Sequence, residues 1–177
     1  MEMKYDLLPA LAAQWAAEME TFALPAWDEL PRLELYMDQV LILLTEYLGP
    51  MNRGNGEKGI TASSINNYVR LKIIPAPVKK KYGRIHMASL LMLFCLKRSM
   101  SMTAIRRMLP EGEDEETHRA IYEAFRRQLS TIAAEMAQQL KQDIAKECQE
   151  DGAVTAAAIL SNLTTDLTEY LLQIPEE

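Results

Sequence analysis

Apolar residues recur in steps of three and four along most of the chain, the spacing of one helix face. Leu8, Leu11, Trp15, Met19 and Phe22 define a first stripe, and Pro25 is expected to end its helix. Pro25–Pro31 (PAWDELP) reads as a turn-rich connector anchored by Trp27, with Trp27, Leu30 and Tyr36 filling core. A second helix is predicted from about Arg32 to Leu48, with Leu33, Met37, Val40, Leu41, Leu44 and Leu48 inward and Gly49 and Pro50 stopping it.

Met51–Gly59 holds three of the seven glycines and reads as a loop. Thr61 is placed to cap a helix through Leu71, because its hydroxyl can accept from first-turn amides. Pro75 and Pro77 block continuation, and Val78–Ile85 (VKKKYGRI) reads as a basic hairpin-like segment around Gly83. Met87–Lys97 is a strongly apolar helix, and Ser101 or Thr103 can cap a short one containing Ile105, Met108 and Leu109. The acidic run Glu111–Glu116 is the expected boundary. Beyond it, Ile121, Phe125, Leu129, Ile132, Met136, Leu140 and Ile144 mark a long amphipathic helix. Asp151 and Gly152 interrupt, and a last helix carries Ile159, Leu160, Leu163, Leu167 and Leu171. The expected division is therefore an N-terminal helix (1–24), a central domain (25–110) and a C-terminal helical region (111–177).

Charge changes this picture. The net charge is -6, yet Ile60–Pro110 contains ten of the 19 Lys/Arg and none of the 25 Asp/Glu. An acidic chain with one wholly basic module is suited to holding a polyanion in one place and repelling it elsewhere. On the helix after Thr61, Ile65, Tyr68 and Val69 fall on one side, flanked by Ala62. Ser63, Asn67 and Arg70 fall on the other, with Asn66 at its edge. A major groove accommodates such a face: Asn can pair with adenine through two hydrogen bonds, and Arg can do so with guanine or grip phosphate. The same face could also be merely solvated. Lys79, Lys80, Lys81 and Arg84 follow on a loop suited to phosphate contacts, although lysine runs more commonly solubilise.

The stretch from Ile60 to Leu109, ITASSINNYVRLKIIPAPVKKKYGRIHMASLLMLFCLKRSMSMTAIRRML, resembles the winged helix-turn-helix half of MerR-type regulators. Tyr68, Ile73-Ile74-Pro75, Arg84 with His86, and Ser101-Met102 occupy places matching that family's motifs. The resemblance implies a mostly α fold: a MerR-like winged helix-turn-helix with a small β wing, plus an N-terminal helix and a C-terminal helical extension. It implies double-stranded DNA as partner, with Ser63, Asn66, Asn67 and Arg70 at the groove and Lys79, Lys80, Lys81 and Arg84 on phosphates. Three positions depart from the pattern: Asn66 stands where arginine is usual, Lys72 where glycine is usual, and His86 where tyrosine is common. These bear on base preference and contact geometry rather than on the fold. Leu24 to Leu109 also looks like a bacterial family known as a domain of unknown function, often labelled as regulators.

In MerR-type proteins the long helix dimerises, which makes Phe125, Leu129, Ile132, Met136 and Leu140 the expected homodimer contacts; packing within the monomer is the alternative. Gln139 and Gln142 argue against a long ideal coiled coil. No catalytic constellation is readable, so an enzyme is not expected, nor a metal or cofactor. His86 reads as a hydrogen-bonding residue at the wing base and His118 as a solvated helix residue. Cys95 and Cys148 are too few for a disulfide framework, and Cys95 reads as a buried thiol. The N-terminus lacks the basic start of a secretory signal and no apolar run is long enough for a membrane span, so a cytoplasmic setting is expected. Two other expectations compete with DNA binding: a basic winged-helix face that docks an acidic protein, and a small-molecule effector site between the C-terminal helices.

Overall fold

The computed structural model describes residues 8–52, 60–112, 114–145, 157, 160–165 and 167–168. Its helices are α1 (Leu8–Glu20), α2 (Met37–Asn52), α3 (Ala62–Arg70), α4 (Arg84–Leu96), α5 (Met102–Met108) and α6 (Glu115–Ala145), with a 3-10 turn at Trp27–Glu29 between the first two. The chain divides into two units. One is Met1–Phe22 with Leu129–Glu177, and the other is Ala23–Gln128, so the acidic run lies inside the second.

The second unit is built on α4. Met87 to Phe94 are all buried; α2 packs against this helix, and α3 packs against α2 and meets α4 through Tyr68 and Phe94. Val40, Leu44 and Leu48 of α2, Ile65 of α3, and Ile74 are buried with it. Both following helices are capped as expected. Thr61 Oγ1 accepts from the Ser64 amide at 3.1 Å while Ser64 Oγ accepts from the Thr61 amide at 3.2 Å, and Ser101 Oγ accepts from the Ala104 amide at 3.2 Å.

A second cluster forms around Trp27, which is 1% exposed. Tyr122 of α6 meets its ring edge-on at 6.1 Å and donates its hydroxyl to Pro25 O at 2.8 Å. The Trp27 amide donates to Glu123 Oε1 at 2.6 Å, and Arg126 Nε donates to Glu123 Oε2 at 3.1 Å. Burial acts to raise the Glu123 carboxyl, but the Trp27 amide and the Arg126 and Arg127 guanidiniums outweigh it and hold the group below the usual carboxylate range.

Several expectations change. The β wing is the largest: no strand forms among the described residues, only isolated bridges at Leu35–Tyr82 and Val78–Lys81. The Lys81 amide donates to Val78 O at 2.9 Å, and on its other edge Tyr82 exchanges both backbone bonds with Leu35, its amide donating at 2.8 Å and its carbonyl accepting at 2.9 Å. That same pairing keeps residue 35 extended, so α2 starts at Met37 rather than Arg32; Leu33 is 82% exposed and Tyr36 is also outside the core. Gly49 and Pro50 lie inside α2, which runs only two residues further.

In the first unit Ala16, Met19 and Phe22 are buried and Leu11 is exposed. On α6 the buried positions there are Ala133 and Ala137, while Ile132 and Met136 are each 46% exposed. Lys141 pairs with Glu20 of α1. Leu160, Leu163 and Leu167 of the expected last helix are exposed; Ile159, Leu171, Cys148 and the Met51–Gly59 loop other than Met51 and Asn52 lie outside the described residues, as do the side chains of Leu8 and Ile144.

Candidate nucleic-acid interface

The α3 helix is divided as its sequence dictates. Ile65 and Tyr68 are buried, while Ser63, Asn66, Asn67 and Arg70 are exposed on the other side. Tyr68 locks against Phe94 of α4, ring edge to face at 5.9 Å, which fixes how far α3 can roll. Arg70 Nη2 donates to Asn67 Oδ1 at 2.7 Å, one turn back, so the guanidinium is already held along the helix face with its charge uncompensated by any carboxylate in the described residues.

After α3 the chain turns through Lys72 at φ 56°. The amide of Lys72 donates to Val69 O and those of Ile73 and Ile74 to Tyr68 O, closing the helix end. A left-handed conformation suits glycine, and here a lysine adopts it.

The hairpin holds two more. Lys79 and Lys80 have φ of 49° and 64°, and the Lys81 amide donates to Val78 O at 2.9 Å. Two successive positive φ values closed by this bond make a two-residue turn of the kind that normally carries Asn-Gly. Every non-glycine residue with positive φ among the described residues is thus a lysine of the basic island.

The four expected wing cations separate into two pairs. Lys79 and Lys80 are exposed at the tip. Lys81 is half-buried, 3.7 Å from Glu34 and 5.8 Å from the Tyr36 ring centroid. Arg84 is not on the wing: it opens α4, its guanidinium 5.7 Å from the Trp27 ring centroid. Nη2 donates to Leu30 O at 3.2 Å and Nη1 reaches Glu115 at 3.5 Å, while Nε is buried without a partner among the described residues. The helix begins earlier than expected because Gly83 serves as its N-cap. Arg84 thus ties the start of α4 to the Trp27 cluster.

His86 completes that start. Its Nδ1 accepts from the Gly83 amide at 3.0 Å, which leaves the proton on Nε2, 3.4 Å from Ala76 O. Its ring meets Tyr82 edge-on at 5.5 Å. Burial lowers the imidazole below its ordinary 6.5, more than the Ala76 carbonyl raises it. A histidine depressed on folding contributes stability that is complete above the unfolded value and is lost as pH falls below it. The thermal midpoint should therefore drop between pH 7.5 and 5.5. His86→Gln keeps an acceptor for Gly83 and should flatten that slope; an unchanged slope in the variant would remove His86 as its source.

His118, expected in solvent, is buried, with Nε2 3.1 Å from Gly112 O. It lies four residues before buried Tyr122, on the same α6 face, so the acidic run before it caps the helix. Asp114 Oδ2 accepts from the Thr117 amide at 3.0 Å, and its carboxyl is held low by its bonds to Thr117. Burial pushes the half-buried Cys95 thiol up to about 12. Among the described residues no group of His, Cys, Asp and Glu could hold a metal, and no helix is long and apolar enough to cross a membrane.

Two clefts flank the Pro75–Ala76 step. The first, of about 580 Å³, is lined by Arg32, Glu34, Lys81, Arg84, His86 and Glu115 among others. The second, of about 540 Å³, lies between the end of α3 and α5, lined by Arg70, Lys72, Arg106 and Glu111 with apolar neighbours. Lys72 and Arg106 did not stand out in the sequence as contact residues. The one signal was Lys72 occupying a place where the resemblance calls for glycine.

No curated protein and no solved structure matches this chain significantly. Residues 25–125, the span from the Trp27 connector through the first turns of α6, match the family described as Domain of unknown function (DUF1836). That span is more than half of the 177 residues and takes in the basic island whole, and the chain belongs to the DUF1836 family.

Proposed function

We propose that this protein is a sequence-specific DNA-binding regulator, acting as a homodimer, in which α2 and α3 form a helix-turn-helix. The observation that carries the reading is the exposed face of α3. Ser63, Asn66, Asn67 and Arg70 stand on it in a region with no acidic residue from Ile60 to Pro110. Asn66 and Asn67 each carry an amide donor and acceptor and Arg70 a fork of donors, the groups that pair with base edges, and Lys79 and Lys80 take phosphates from the hairpin tip. The acidic remainder, nine basic against 25 acidic residues, keeps the polyanion on this one surface.

Dimerisation would use the apolar residues of α6 that the first unit leaves accessible, Ile132 and Met136, with half-buried Leu129 and Leu140 beside them. Phe125, also half-buried, sits further up the helix in the second unit. Two presented recognition helices give the affinity and half-site selection that one cannot.

Fluorescence anisotropy on duplex DNA across a salt series tests the reading. Affinity should fall steeply as salt rises, with two chains bound per specific site. Arg70→Ala should cost about 1–3 kcal/mol more on a selected site than on random sequence, whereas Lys80→Ala should weaken all duplexes about equally and lower the log-log slope by about 1. Absence of salt-sensitive affinity for any duplex would overturn the proposal and favour a basic face that docks an acidic protein.

A further inference from the structure

The two clefts beside Pro75–Ala76 differ in one respect that decides what each can hold. In the first, two carboxylates already match two of the three cations, Glu34 with Lys81 at 3.7 Å and Glu115 with Arg84 at 3.5 Å, and Arg32 alone has no ion pair among the described residues. In the second, Arg70, Lys72 and Arg106 converge from three elements, the end of α3, the turn after it, and the last turn of α5. None of the three is ion-paired among the described residues, and Arg70 bonds only the neutral Asn67 amide. Among the described residues Glu111 is the one carboxylate on this rim.

Helix ends explain part of this. Cations in the last turns of α3 and α5 complement the negative ends of the helix dipoles. That accounts for Arg70 and Arg106 but not for Lys72, which lies beyond α3 in a left-handed conformation that glycine would take without strain. An exposed side chain held at that cost by a chain that could have used glycine points to a role for the side chain itself. The backbone amides at this turn are spent on Val69 and Tyr68, so an anion here would be bound by side chains alone.

We infer that the cleft between α3 and α5 is a phosphate seat, formed by Arg70, Lys72 and Arg106, that takes a backbone phosphate of the duplex read by α3. The inference rests on the DNA-binding reading. It adds a second anchor away from the hairpin tip, and Arg70 belongs to both surfaces. Base reading by α3 then starts from a helix whose end is fixed to the backbone. Glu111 sets a limit: its charge weakens the seat, so its removal tightens binding.

The test compares the wild-type chain, Lys80→Ala, the double variant Lys72→Ala/Arg106→Ala, and Glu111→Gln on a random-sequence duplex of about 20 base pairs, by anisotropy across a salt series. Both substituted cations are exposed, so circular dichroism and thermal midpoint should be little changed by Arg106→Ala alone, which serves as the single-site check. The double variant should lose about tenfold in affinity, with a slope lower by about 0.9 to 1.8, and Glu111→Gln should bind more tightly. If the double variant matches wild type while Lys80→Ala is weakened, the seat is wrong and the DNA reading stands. If the wild-type chain binds no duplex, both fall. A parallel calorimetric titration with inorganic phosphate separates the source: phosphate bound at this cleft with no loss of duplex affinity in the double variant would assign it to a free anion and overturn the backbone-phosphate inference.

Discussion

Trp27→Ala should destabilise the Ala23–Gln128 unit by about 3–5 kcal/mol, the range for removing a large buried aromatic. Typical domains have about 5–15 kcal/mol in total, so the variant should sit near the edge of folding. The size follows from what converges on one ring. Tyr122 packs against its edge, the Arg84 guanidinium lies over it, and its backbone amide is anchored to Glu123. Truncation opens a cavity and strips the apolar and cation–π cover from Arg84, whose Nε is already buried without a partner. Leu33→Ala is the control, since an 82% exposed side chain should change stability by no more than about 0.5 kcal/mol. Denaturant titration followed by circular dichroism measures both, and equal midpoints would mean that the Trp27 cluster does not hold the unit together.

That cluster also shows how far the sequence could be read. Trp27 was recognisable as core because it sits between two prolines in a connector, where a large apolar side chain has little else to do. Its partners on α6 were not, because they lie 95 or more residues away. There the eye follows Ile121, Phe125, Ile132 and Met136, the most apolar positions, whereas burial follows His118, Tyr122, Ala133 and Ala137. Small and amphipathic residues leave a weak periodic signal yet allow the closest approach of a neighbour.

The candidate interface divides the same way. The α3 face was legible because one nine-residue helix with two buried residues leaves little freedom in which side points out. The hairpin was legible only in composition. Four cations in VKKKYGR look alike in sequence, but Lys81 and Arg84 have carboxylates within 4 Å and, among the described residues, Lys79 and Lys80 do not. The separation depends on where Glu34 and Glu115 are brought by the fold, and on Leu35 capturing the backbone of Tyr82, none of which local pattern encodes.

Replacing Lys79-Lys80 by Asn-Gly should make the protein more stable and bind DNA less well. Each lysine is held at positive φ, at a cost of about 1 kcal/mol or more, and Asn-Gly is the preferred pair for this two-residue turn. The bond between the Lys81 amide and Val78 O needs neither lysine side chain, so the turn should persist. Relief at both positions should raise stability by about 2 kcal/mol in denaturant titration. Loss of two phosphate contacts should lower the log-log salt slope by up to about 1.8. Lys79→Ala/Lys80→Ala separates the effects, since it removes the same charge while leaving side chains with a Cβ in the left-handed region. A stability gain in Asn-Gly without loss of DNA affinity would show a strained tip that touches no phosphate. Loss of affinity without a stability gain would show that the lysines sit there unstrained. The opposed signs together are what a chain would show if it holds two lysines in an unfavourable turn because their charge is used there.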